Sequence, residues 1–410
     1  MKKVVLGEVC DFFNGGAWSD KEYVNEGIPV LKVTNCKSTG FQLDNLNYLS
    51  EKSREKYKKN NLIIGDVIVA TVESHPNLIE SAAGRSCIVN SQVEGFYLNQ
   101  NAVCIRTKDK RILSQKYLGY LCKCADFQHY IQSRGRGAAN QMRIAISSIR
   151  EYSFTLPEIE NQQYIADTLS AYDDLIENNQ KQIKLLEEAA QRLYKEWFVN
   201  LRFPEHENTK IVDGVPEGWQ YEKLGDLVKT TSGGTPSRRK SEYYVNGNIR
   251  WIKTKELNDR FIFETEEHIT EDAVRNSSAK VLPEGTLIVA MYGATIGKIG
   301  ITAAEMACNQ ACCAFISFDD VMSKEYLYCW LMDNREYLVS QGKGAAQSNL
   351  SQEMIRNFSL LCPDKKIMKI FTEIVTTMLE NKRVLENKIL MLSKARDDLL
   401  PKLMSGEVEV

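Results

Sequence analysis

The sequence predicts an α/β protein built twice over: two globular α/β modules, each followed by a long helix, with the two helices pairing as an antiparallel coiled coil. Three observations support this fold class. The chain repeats itself about half a chain apart, glycine-led runs of β-branched residues recur at the same place in each copy, and each copy ends on a heptad stripe. A length of 410 residues suits two domains that each bury a core.

The repeat can be followed in order. Leu6-Gly7-Glu8 opens the first copy and Leu224-Gly225-Asp226 the second; Gly15-Gly16 answers Gly233-Gly234. GIPVLKVTN from Gly27 answers GNIRWIKTKEL from Gly247, and both read as a short strand followed by polar residues. GDVIVAT from Gly65 answers GTLIVAMYG from Gly285; such β-branched runs after a glycine read as buried strands. NQNAVCI from Asn99 answers NQACCAF from Asn309. One helix then follows in each copy, from Ser114 and from Ser323, and runs into a Gly-x-Gly-Ala-Ala loop. The copies close on IREYSFTLP to Pro157 and IRNFSLLCP to Pro363, which bounds the modules at 1–157 and 218–363.

After each proline a long helix is expected, over 158–200 and 364–403, with a polar Pro/Gly-bearing linker at 201–217 and a short tail at 404–410. In the first helix Ile165, Leu169, Tyr172, Ile176, Asn179, Ile183, Leu186, Ala190, Leu193 and Trp197 step by alternating fours and threes, the mark of a coiled-coil seam. The second carries Ile367, Phe371, Ile374, Met378, Asn381, Leu385 and Leu392 on the same spacing, interrupted at Lys388. Asn179 and Asn381 fall at equivalent mid-seam positions, where a buried asparagine fixes register at some loss of stability. The first helix holds nine acids and four bases and the second nine bases and five acids, so their charges favour pairing with each other. Each would span on the order of 60 Å.

Composition narrows the chemistry. No apolar run approaches the length of a membrane span, and Glu8 and Asp11 make the start a poor signal peptide. Eleven cysteines without a Cys-x-x-Cys pair, beside only four histidines, support neither a metal site nor a disulfide framework; reduced cysteines in a cytoplasmic protein are expected. A nucleic-acid methyltransferase would need an Asn/Asp-Pro-Pro-aromatic motif, yet there is no Pro-Pro anywhere. Gly135-Arg136-Gly137 lacks a third glycine and follows a helix, and there is no Walker loop. No catalytic residue is expected.

What remains is binding chemistry. The net charge of −2 hides basic stretches: Arg106–Arg150 has ten bases and two acids, and Lys229–Arg260 eight bases and three acids. In the second module the candidate contacts are Ser232, Gly233, Gly234, Thr235, Ser237 and Arg238, where glycines allow close backbone approach and hydroxyls and bases suit phosphate. Lys253, Lys255, Tyr292, Lys298, Asn309 and Gln310 join them, with Lys343, Gln347 and Asn349 in the glycine-alanine loop. The first-module candidates are Lys32, Asn35, Arg85 and Gln100, with Arg134, Arg136, Asn140, Gln141 and Arg143 around its glycine-alanine loop. Arg, Asn and Gln are the side chains that pair bidentately with guanine and adenine edges. Singly each segment is ordinary; their recurrence beside basic patches in both copies favours nucleic acid.

Taken together, Thr235-Pro236-Ser237 after Gly233-Gly234, Trp251-Ile252, LPEGTLIVAMYGATIGKIG, Asn309-Gln310 and QGKGAAQSNLS closely resemble the target-recognition domain of type I restriction–modification specificity subunits. The terminal KARDDLLPKLMSGEVEV resembles that family's last conserved helix. The resemblance covers essentially the whole chain. It implies a non-catalytic subunit in which each module reads one half of a bipartite, asymmetric double-stranded DNA target. It also implies that the paired helices space the halves and dock two methyltransferase subunits, which use S-adenosylmethionine, and that restriction subunits can be added. The alternative is a sequence-specific DNA-binding scaffold with no methyltransferase partner. The first module departs from the pattern: NGGAWSDKEY lacks Thr-Pro-Ser, and TVESHPNLIESAAGRSC stands in place of MYGATIGKIG. A shared frame with unlike loops fits two unlike half-sites.

Overall fold

The computed structural model describes residues 2–37, 40–43, 46–73, 84–135, 142–342 and 349–408. The chain divides into two compact units, Met1–Ile176 with Met391–Val410, and Glu177–Leu390. Both divisions fall inside the long helices Ile159–Tyr194 and Lys365–Ser405, so each unit contains one α/β module and a piece of each helix.

In the first unit the central sheet has the order Cys10–Asn14, Ala102–Thr107, Val67–Ala70, Ser86–Ile88, antiparallel throughout. Val67–Ala70, the run after Gly65, is buried along its whole length. A second sheet runs Tyr23–Val24, Asn47–Leu49, Ile28–Leu31, Tyr97–Leu98, its last pair parallel. Lys2–Val5 pairs with Ser153–Leu156, which holds the two ends of the module side by side.

The second unit repeats this plan. Val228–Ser232, Cys312–Phe318, Leu287–Ala290 and Ile299–Thr302 form the main sheet, extended by Arg260–Ile262 running parallel to its neighbour. His268–Ile269, Ile249–Ile252, Met306–Cys308 and Val281–Leu282 form the second sheet, and Gln220–Lys223 pairs with Ser359–Cys362.

The single helix expected after each Asn-Gln segment is two helices. In the first unit Gln115–Lys123 stops at Cys124, whose extended backbone (φ −64°, ψ 147°) starts Ala125–Ser133. In the second unit Lys324–Asp333 and Arg335–Gln341 break at Asn334. Phe127 and Ile131 of the trailing helix lie in the same core as Tyr117, Leu118 and Leu121 of the leading one. Ser114 and Ser323 cap the leading helices by accepting from the amides of Tyr117 and Tyr326.

Each unit pairs its two helix pieces antiparallel. In the first, Ile165 and Leu169 from early in one helix share a core with Leu403 from late in the other, and Arg396 pairs with Asp173 at 2.5 Å. In the second, Lys382 pairs with Glu187 at 2.6 Å, and Phe371 packs on Phe198 with ring centroids 4.9 Å apart. The first helix finishes in a π-turn over Lys195–Val199. That widened turn lets adjacent Trp197 and Phe198 both point inward, onto Tyr326, Phe371 and Trp219.

Of the first helix's expected seam, Leu169, Ile176 and Asn179 are buried and Ile183 and Leu186 half-buried. The second helix's seam is displaced. Ile374 is 37% exposed whereas Val375 is fully buried, and Asn381 is exposed whereas Lys382 is 2% exposed. The buried positions run Phe371, Val375, Leu379, Lys382, Glu386; Met378 and Leu392 are half-buried and Leu385 stays buried. Two successive steps of four follow the natural 3.6-residue period of a helix packed on a broad module face, not the 3.5 of a strict coiled coil. The matched asparagines therefore do not form a pair of seam residues: the buried polar group on the second helix is an ammonium.

Candidate nucleic-acid interface

In each module the glycine pair and the Asn-Gln turn lie side by side. Gly234 N–H donates to Cys308 O at 2.9 Å, and Gly16 N–H to Leu98 O at 2.7 Å. A Cβ on Gly233 would stand 2.0 Å from Cys308 O, and one on Gly15 1.8 Å from Asn99 O. Gly233 and Gly234 are buried, and Gly234 O accepts from Trp251 Nε1 at 3.0 Å. These glycines thus admit the module's own backbone, which corrects the expectation that they open the loop to a phosphate. Past them Thr235, Ser237 and Arg238 are exposed, and Thr235 donates its hydroxyl hydrogen to Gln310 Oε1. Asn309 instead turns inward, accepting from the Ala311 amide at 3.1 Å.

Four of the eight bases in the second module's basic stretch are paired with acids from outside its own sequence window. Arg238 pairs with Glu267 at 2.6 Å and lies over the rings of Tyr244 and Trp251. Lys253 reaches Glu267 at 2.5 Å and Glu266 at 3.1 Å, Lys255 pairs with Glu266, and Arg250 with Glu264 at 2.7 Å. Burial raises the Glu267 carboxyl, but Lys253 and Arg238 outweigh it and hold it below the usual range; Lys255, then Lys253, do the same for Glu266. Local charge counted along the chain misses this, because the strand His268–Ile269 folds the acids preceding it back onto the bases. Tyr292 is exposed, Ser232 half-buried, and Lys298 stands 3.8 Å from Asp259. Asn349 is exposed, its amide bonded to Gly342 O at 3.1 Å, while Lys343 and Gln347 lie outside the described residues.

The first module shows the same division between structural and open groups. Asn35 caps its own turn, accepting from the Lys32 amide and donating to Gln42 O, both at 2.9 Å. Glu256 performs that capping for Lys253 in the second module. Lys32 reaches Asn47 at 3.1 Å, and Arg85 donates to Cys36 O at 2.9 Å. Gln100, Arg134 and Arg143 are exposed, with Arg134 stacked 4.4 Å over Tyr130. Arg136, Asn140 and Gln141 lie outside the described residues, as do residues 74–83 of the stretch that stands in place of MYGATIGKIG. Arg106 is removed from the basic patch by a two-pronged bond to buried Asp66, 2.7 Å on each prong.

Among the described residues no cluster of histidine, cysteine and carboxylate could hold a metal ion. Burial pushes the thiols of Cys10 and Cys313 up to about 12, far from a nucleophile at neutral pH. Nor is any helix among these residues long and apolar enough to cross a membrane.

The profile described as "Type I restriction modification DNA specificity domain" matches residues 1–188 and again 216–390. The chain belongs to that family. Each match covers one module and helical sequence after it, as the repeat requires. Among relatives, the type I restriction enzyme MjaIX specificity subunit of Methanocaldococcus jannaschii is 30% identical over 72% of this chain and 69% of its own length. The HindI specificity subunit of Haemophilus influenzae is 24% identical over 97% of this chain and 96% of its own. The crystal structure of a type I restriction–modification S subunit from M. genitalium has the same fold, with a TM-score of 0.59, 16% identity and coverage of 98% of this chain and 95% of that one. Family and two-module fold thus agree with the resemblance carried by the sequence.

Proposed function

We propose that this chain is the DNA sequence-specificity subunit of a type I restriction–modification complex. Each module reads one half of a bipartite, asymmetric site, and the helix pair holds the halves at a set separation. The same helices dock two methyltransferase subunits; those partners bind S-adenosylmethionine, and restriction subunits join them. The chain itself performs no chemistry and acts in the cytoplasm. One observation carries the proposal: the family match occurs twice, once over each module, on one frame with unlike loops. Among the described residues, exposed Thr235, Ser237, Gln310 and Tyr292 in one module, and Gln100, Arg134 and Arg143 in the other, stand at the surface where they can meet base edges and phosphates.

Sequencing modified adenines in cells with and without the gene tests this directly. The expected result is an interrupted motif of two different short parts that disappears with the gene. A single continuous motif would contradict two readers. Co-purification without any methyltransferase would favour the scaffold reading instead.

A further inference from the structure

Asp259 joins three parts of the second unit. It adopts a left-handed backbone, φ 63°, which aspartate accepts more readily than most side chains. Its carboxylate accepts from Arg335 at 3.1 and 2.5 Å and from the Ile299 amide at 3.1 Å, with the Lys298 ammonium 3.8 Å away. Arg335 also donates to Gly297 O at 3.2 Å. On its other side, Asp259 O accepts from the Lys382 ammonium at 2.6 Å. Lys382 belongs to the second long helix and is held by Glu187 of the first at 2.6 Å and by the Tyr328 hydroxyl at 3.1 Å. One helical turn on, Glu386 accepts from the Phe261 amide at 2.7 Å. Two side chains on one helix face thus grip the backbone on either side of Arg260, at the edge strand of the main sheet.

We propose that Asp259 is a positioning residue that locks the Tyr292–Lys298 loop and the Arg335–Gln341 helix to the paired long helices, so that the second module's reading loops keep a set place relative to the spacer. The inference rests on the DNA-reading function proposed above. A carboxylate held by a guanidinium, an amide and an ammonium has one geometry, and its own carbonyl points to a lysine almost wholly withdrawn from water. Lys298 is thereby an orienting group of the loop before it is a phosphate contact.

The test uses the complete subunit assembled with its methyltransferase partners. Competition binding would compare the native bipartite target with targets whose spacer is one base pair longer or shorter. Asp259→Asn keeps the size and tolerance of a left-handed backbone but loses the charge that holds Arg335 and Lys298. The native-to-altered affinity ratio should fall at least about fivefold, while penalties for mismatches in the first module's half-site stay as in wild type. Arg335→Gln breaks the same contact from the other side and must give the same result, which covers the case where Asp259→Asn does not fold. Uniform weakening on all targets with an unchanged ratio would overturn the inference. If the wild-type complex shows no preference for any bipartite target, the DNA-reading proposal itself fails.

Discussion

Glu386 offers a quantitative test of how the second unit is built. The side chain is 7% exposed, and one carboxylate oxygen, Oε1, has no hydrogen-bond partner. Burial pushes its pKa from 4.5 up to about 7, against the pull of Lys382 and of the Phe261 amide. A folded-state value above the unfolded one means that the folded protein holds the proton more tightly. The associated stability is complete below pH 4.5 and is lost as pH rises through 7. That difference in midpoint corresponds to roughly 3 kcal/mol. Glu386→Gln removes the titration and keeps an oxygen to accept from Phe261. Urea unfolding followed by tryptophan fluorescence reports the second unit, since Trp197, Trp219, Trp251 and Trp330 all lie there and Trp18→Phe silences the other. Between pH 4.5 and 8 the stability of Glu386→Gln relative to wild type should rise by about 3 kcal/mol. A difference that stays constant across that range would refute the reasoning: it would mean that Glu386 is ionised throughout and fully compensated by Lys382.

Gly233→Ala should abolish cooperative folding of the second unit, because its Cβ would meet Cys308 O at 2.0 Å; Gly293→Ala, with nothing within 4 Å but φ at +80°, should cost only about 1 kcal/mol by thermal melting. Leu403→Ala should destabilise the first unit by about 2–4 kcal/mol, seen as lost amide-exchange protection of its core strands, since Leu403 is 3% exposed within that core. Arg396→Met leaves the half-buried Asp173 carboxylate with Tyr120 and the more distant Lys123, and should cost the first unit about 1 kcal/mol at pH 7. Burial raises the Asp173 carboxyl, but Lys123 and Arg396 outweigh it and bring it below its usual value. The stability it lends is therefore lost as pH falls through that lowered value, and the penalty of Arg396→Met should shrink in acid.

The repeat, its buried strands and the long helices were legible in the sequence because each depends on local periodicity: Val67–Ala70 and Leu287–Ala290 are buried from end to end. The seam of the second helix was not, because Val375 displaces Ile374 only once Phe371 has docked among Trp197, Phe198 and Tyr326. A heptad count sees partners along one helix and cannot weigh a module pressing on its flank. The interface was half legible for a related reason. The basic side chains were visible, but Glu264, Glu266 and Glu267, which pair with Arg238, Arg250, Lys253 and Lys255, reach them across 11 to 29 residues of chain. Asp259 carried no sequence signal: its importance comes from a backbone carbonyl and a carboxylate facing opposite ways.

Both modules tie their first strand to their last, Lys2–Val5 to Ser153–Leu156 and Gln220–Lys223 to Ser359–Cys362. A fold whose two ends emerge together behaves as a cartridge. Its interior loops can be rebuilt, or the whole insert replaced, through two neighbouring joints, while the helix that begins just beyond the second joint keeps its phase. Divergence can then accumulate in one insert without disturbing its twin. A single gene exchange bounded by the segments before Leu6 and after Pro157, or before Leu224 and after Pro363, would change one half of what the chain recognises and leave the other half intact.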